Sequence, residues 1–159
     1  MVERGTSLNI SNTHGDWEVI PYRQTNNEDV HLAIVKGNPA QQEVNFVRVH
    51  SMSRTGDLLG LIFGNTGNEV DHALSLINDN GHGVFLLMRH SEQPDNVIEI
   101  LKTYAGHDDP IAAQQRDIGV GAQILRDLGI KKMKLLSNHD IPRVGLIGFG
   151  LEIVENVRI

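Results

Sequence analysis

The sequence predicts a single domain of mixed architecture, α+β or α/β, with antiparallel strands in its first third and β-α-β units after them. Three observations carry that prediction. Short β-prone runs separated by turn residues fill positions 8–50. Val70, Ala73, Leu74 and Ile77 then recur at i, i+3, i+4 and i+7, the stripe of an amphipathic helix. Val84-Phe85-Leu86-Leu87-Met88 is an unbroken apolar run, as a strand covered on both faces requires.

Leu8-Asn9-Ile10 begins the series of strands, and His14-Gly15-Asp16 turns the chain into Trp17-Glu18-Val19-Ile20-Pro21-Tyr22. Thr25 to Glu28 is a turn, Val30 to Val35 a strand, and Gly37-Asn38-Pro39 another turn. In the strand from Val44 to His50, period-two alternation puts Val44, Phe46 and Arg48 on one face and Asn45, Val47 and Val49 on the other. Thr66 and Glu69 have capping-box spacing at the start of the Val70 helix, and Asn80-Gly81 supplies its left-handed stop. Pro94 opens a helix carrying Val97, Leu101, Tyr104 and Ala105 and ended by Gly106. Ala122 to Leu128 is helical, stopped by Gly129, with Gly119-Val120-Gly121 as its entry. Met133 to Leu136 is a strand that runs into the loop Ser137 to Asp140. A short helix from Arg143 to Phe149 then leads to the last strand, Leu151 to Val154.

Residues 1–159 read as one domain, with 1–7 as a linker remnant. Twenty acidic residues against 14 Lys plus Arg leave a net charge of -6, and only four Phe, two Tyr and one Trp are present. A nucleic-acid partner needs a basic face with stacking aromatics, so none is expected. No run approaches a membrane span and no secretory signal is visible, so the expected location is cytoplasmic, with no membrane partner. The absence of cysteine removes disulfides, thiol nucleophiles and thiolate zinc sites together. The eight histidines match no ligand spacing, and each reads as a surface or hydrogen-bonded residue. Walker, zincin and serine-hydrolase motifs are missing.

Arg48-Val49-His50-Ser51, followed by Thr55-Gly56-Asp57, gathers Arg, His, hydroxyls and Asp where a strand ends; a helix-capping turn is an equal reading of that stretch. Together with Arg116-Asp117, the run Gly119 to Gly129, the run Lys132 to Asn138, and Gly148 to Glu155, it resembles GTP cyclohydrolase II of riboflavin biosynthesis over nearly the whole chain. Leu32-Ala33-Ile34-Val35-Lys36-Gly37 resembles that family's first-sheet motif. Met1 to Arg4 resembles the junction after the dihydroxybutanone phosphate synthase half of bifunctional riboflavin proteins, so the chain is expected to be an excised C-terminal domain.

The resemblance implies a zinc ion that three cysteines hold and that activates water for ring opening. Those cysteine positions fall on Ser53, Gly64 and Thr66, and the glutamate before the first is Met52. Two hydroxyls and a hydrogen do not replace thiolates at tetrahedral zinc, so no cofactor and no metal site are expected. The family's nucleotide loop falls on His90 to Val97 without its glycines or arginine. Its D-x-R-D-[YF] pattern becomes Gln114-Gln115-Arg116-Asp117-Ile118, in which an amide replaces a proton carrier. Its T-N-N-P-x-K loop becomes Ser137 to Pro142, keeping Asn138 and losing the lysine.

Site erosion beside intact packing positions reads as a catalytically degenerate domain with a structural or regulatory role, through dimerisation, support of the fused synthase, or effector binding. Arg116 and Asp117 are the remnant catalytic candidates. Arg48, His50, Ser51, Thr55, Asp57 and Asn138 are the candidate ligand-binding residues, for weak phosphate or nucleotide binding. The resemblance implies a homodimer, and the fused synthase is the second expected partner. The alternative is a zinc-independent nucleotide or phosphate-ester hydrolase using Arg48, His50, Asp57, Arg116 and Asp117. A third reading, an unrelated small-molecule binding module, stands only if the resemblance fails.

Overall fold

A computed structural model describes residues 2–25, 29–53, 68–90, 110–137 and 150–159; for 51–53, 68–69, 89–90 and 110–118 it describes the backbone alone. The helices expected at Pro94 to Gly106 and Arg143 to Phe149, and the Thr66 cap, lie outside the described residues.

Among the described residues, eight strands form one sheet: β1 (Val2–Arg4), β2 (Leu8–Asn12), β3 (Gly15–Gln24), β4 (Val30–Lys36), β5 (Val44–Ser53), β6 (Gly83–His90), β7 (Lys132–Leu136) and β8 (Glu152–Val157). The spatial order is β1-β3-β4-β6-β5-β7-β8, with β2 beside β3 on the edge that β1 also occupies. Pairing is antiparallel from β1 through β4 to β6, and parallel among β6, β5, β7 and β8. The expected division into antiparallel strands and β-α-β units is the observed one. The change falls at β6, which is antiparallel to β4 and parallel to β5.

Helices α1 (Asn68–Asn80) and α2 (Pro110–Asp127) lie on opposite faces of the sheet. On one face, Ala73 and Ile77 of α1 pack with Trp17, Phe85 and Leu136. On the other, Ala122, Ile124 and Leu125 of α2 pack with Ile20, Tyr22, Val47, Val84, Leu86 and Met88. The central strands alternate between these cores, which is why the Val84 to Met88 run is apolar throughout. In β5, Phe46 belongs to the α1 face and Val47 and Val49 to the α2 face, as the alternation predicts.

Three expectations are corrected. Helix α2 begins at Pro110, so Gly119-Val120-Gly121 lies inside a helix rather than at its entry. Gly121 passes close to the sheet: a Cβ there would stand 3.2 Å from Leu86 Cδ2, a tight contact that the leucine tip would have to relieve. Val2–Arg4, inside the stretch read as linker, pairs with β3, with Arg4 opposite Tyr22. The last strand runs from Glu152 to Val157, later than expected, and a register shift between Met133 and Lys134 displaces it on β7.

Pro21 has no N–H to give to a ladder, and it sits where β1 gives way to β2. The register there moves by one residue, from Arg4↔Tyr22 to Leu8↔Val19, which makes a bulge. The Gly5 N–H donates to the Pro21 carbonyl at 2.7 Å across it.

Candidate functional site

Because β5, β6 and β7 are parallel, their C-terminal ends, at Ser53, His90 and Leu136, share one edge of the sheet. Ligands of open α/β sheets bind at such an edge. From these ends depart the segments holding Thr55 and Asp57, the His90 to Val97 stretch, and Asn138. Helix α2 delivers its C-terminal end to the start of β7, so its N-terminal half, with Arg116 and Asp117, runs toward the same edge.

Arg48 and His50 are two positions apart on β5 and therefore share a face with Phe46, the α1 face. The Arg48 guanidinium donates through Nη1 to the Leu136 carbonyl at 3.0 Å, tying β5 to the end of β7. The Ser137 N–H in turn donates to the Val157 carbonyl at 2.9 Å, which ties that end to β8. The His50 ring lies 6.0 Å from the Phe85 ring, tilted by 38°. One candidate cation is thus engaged with the main chain of a neighbouring strand, and the imidazole rests on a core aromatic. Ser51 is placed by register opposite Met88, and Ser53 opposite His90. Arg116 and Asp117 are placed as backbone in α2. Thr55, Asp57 and Asn138 lie outside the described residues.

Sequence reasoning missed two partners, the Leu136 carbonyl and Phe85. The first carries no side-chain signal, and the second was legible only as part of an apolar run. Of the histidines, His31 is fully buried with Nε2 2.7 Å from Gln24 Oε1, and His82 bonds Asn45, so both are hydrogen-bonded as expected.

The sequence profile of the family described as GTP cyclohydrolase II matches residues 3–158. The chain belongs to the GTP cyclohydrolase II family. The riboflavin biosynthesis protein RibBA of Parabacteroides distasonis is 36% identical over 170 residues, covering 100% of this chain and 42% of that protein. RibBA of Rhodococcus jostii is 38% identical over 172 residues, covering 98% of this chain and 41% of that protein. Among solved structures, RibBX from A. baumannii, described as a two-domain 3,4-dihydroxy-2-butanone 4-phosphate synthase, superposes with a TM-score of 0.64 at 35% identity. That match covers 98% of this chain and 40% of the other. This GTP cyclohydrolase II domain therefore spans about 40% of the length of its relatives.

The family resemblance implies zinc, which needs a set of thiolate or imidazole donors. The chain has no cysteine, and the resemblance implies thiolates at positions that Ser53, Gly64 and Thr66 occupy. Among the described residues, no group of three His, Asp or Glu side chains gathers to replace them. The donor set does not fit tetrahedral zinc. Among the described residues no helix is long and apolar enough to cross a membrane.

Proposed function

We propose that this GTP cyclohydrolase II domain is catalytically degenerate and serves a structural or regulatory role in a riboflavin-biosynthesis protein, supporting a fused dihydroxybutanone phosphate synthase. The observation that carries the reading is the absence of any cysteine, with Ser53, Gly64 and Thr66 where the family resemblance implies zinc thiolates and Gln114 where it implies a carboxylate. An amide does not shuttle a proton, and serine, glycine and threonine do not hold zinc. RibBX supports the assignment of role, since a relative of like sequence over this domain is described as a two-domain synthase. The Arg48 bond to Leu136 supports it, because a candidate ligand-binding residue braces two strands.

What remains for a ligand is weak anion recognition by Arg48, His50 and Arg116, at roughly millimolar affinity and without base selectivity. Calorimetric titration with GTP, ATP and pyrophosphate at fixed ionic strength tests this, beside an assay for formate release from GTP. Expected are weak binding that follows phosphate charge, and no formate. Tight GTP-selective binding or enzyme-dependent formate would overturn the reading, and formate lost on Arg116→Ala would favour the altered hydrolase. Self-association is part of the same proposal. A 17.6 kDa species at every concentration in light scattering would remove it.

A further inference from the structure

We propose that Asn80-Gly81 is a covalent modification site, a deamidation point held closed by the end of α1 and by a hydrogen-bond relay through His82. Asn80 is the only asparagine in the chain followed by glycine. Glycine leaves its own amide nitrogen unhindered. Here the surroundings are open too, with nothing within 4 Å of where a Gly81 Cβ would stand. Asn80 itself is exposed.

Two latches restrain the reaction. The Gly81 N–H, whose nitrogen would be the nucleophile, donates to the Ile77 and Asn78 carbonyls, at 3.1 Å each. The second latch follows from donor and acceptor logic. Asn45 is buried, and its Nδ2 donates to the Pro39 carbonyl at 3.0 Å, which turns its Oδ1 toward His82. That oxygen can only accept, so His82 Nδ1 carries the proton in their 2.8 Å bond, and in the neutral ring Nε2 is left as an acceptor. Asn80 Nδ2 faces that Nε2 at 3.3 Å and also donates to the His82 carbonyl at 3.1 Å. The carboxamide is thereby pinned through its nitrogen.

When the helix end opens, the Gly81 nitrogen loses its proton and attacks Asn80 Cγ. The new N–Cγ bond closes a succinimide as the Cγ–Nδ2 bond breaks, and ammonia leaves with the released proton. Water then opens the ring at either carbonyl to give aspartate or isoaspartate, with no change of oxidation state. The product sets a carboxylate beside Asp79 at the negative end of the α1 dipole. It also replaces the donor facing His82 with acceptors. An isoaspartyl link lengthens the main chain at a turn where Gly37 leaves no slack, since a Cβ on Gly37 would meet the Gly81 carbonyl at 2.6 Å.

The test is peptide mapping by mass spectrometry of the 159-residue chain aged at mildly alkaline pH, folded and in urea, with isoaspartate quantified. Asn80 is expected to convert before any other asparagine in urea, and about tenfold or more slowly in the folded chain, as a locally closed helix end imposes. His82→Phe, which removes the acceptor and keeps a ring, is expected to speed conversion in the folded chain several-fold. Conversion of another asparagine first, equal rates folded and unfolded, or a folded His82→Phe protein ageing at the parent rate would each overturn the proposal. Should His82→Phe fail to fold, the comparison of folded and urea-treated parent protein decides by itself.

Discussion

The Arg48 guanidinium bonds a main-chain carbonyl that loses its donor when the side chain is shortened. Arg48→Met, which keeps the aliphatic stem, should therefore destabilise the domain by about 1–2 kcal/mol, the cost of stranding a half-buried polar partner. Urea unfolding measures it, and unchanged stability would show that Arg48 is held for a ligand rather than for the fold. Tyr22 offers a second test. Its hydroxyl donates to Asp127 Oδ2 at 2.6 Å, and Arg4 Nη1 lies 3.6 Å from the same oxygen. Burial first, and the Asp127 carboxylate second, push the phenol well above its usual value. A raised folded-state pKa means that the native state holds the proton while the unfolded chain releases it. The stabilisation is therefore complete below the ordinary phenol value near 10 and is lost as pH rises beyond it. Tyr22→Phe should lower stability by about 1 kcal/mol at neutral pH and flatten the alkaline decline. An unaltered alkaline limb in denaturation from neutral pH upward would refute the assignment.

Among the elements, α2 shows how a helix closes. The Ile130 N–H donates to the Leu125 carbonyl and the Gly129 N–H to the Arg126 carbonyl, at 3.1 and 3.0 Å, with Gly129 at φ +82°. A Cβ there would stand 2.7 Å from Ala40 Cβ, against the short 3-10 turn Pro39–Gln41. Gly150 has a similar φ of +73°, but nothing lies within 4 Å of its missing Cβ. Gly150→Ala should cost only the left-handed strain, about 1 kcal/mol, whereas Gly129→Ala should cost more by the displacement of Ala40. Equal losses in chemical denaturation would remove the packing argument. The start of α2 was not legible, since glycines at 119 and 121 disfavour a helix locally. The close passage over Leu86 outweighs that preference. The caps at Gly81 and Gly129 were legible, because a left-handed residue after an apolar stripe is a local requirement.

For the whole molecule, the donor set makes a direct claim about metal. Purified protein should carry far less than one zinc per chain in elemental analysis, and added zinc should leave its melting temperature unchanged, because a ligand that does not bind the native state does not stabilise it. A stoichiometric ion, or a clear upward shift on zinc addition, would mean that residues outside the described ones assemble a site. The described fold does not rest on a metal site. The cores on the two sheet faces come from Ile20, Val47, Leu86 and Leu125 on one side and Trp17, Ile77, Phe85 and Leu136 on the other, none of which is a metal-ligating side chain. A site is a handful of side chains at strand ends, while a core is a volume filled by many.

What the amino-acid sequence determined alone was local and periodic: the β5 alternation that pairs Arg48 with Phe46, the α1 stripe, the buried β6 run, and the missing thiolates. Each follows from residue type and spacing, with no knowledge of a neighbour. Tertiary structure decided what depends on distant partners. It placed β6 between an antiparallel and a parallel neighbour, set the one-residue shift at Pro21, engaged Arg48 with a carbonyl 88 residues away, and tied Asn80 through His82 to Asn45. Backbone acceptors and strand registers have no residue identity of their own, so they exist only once long-range pairing has brought the segments together.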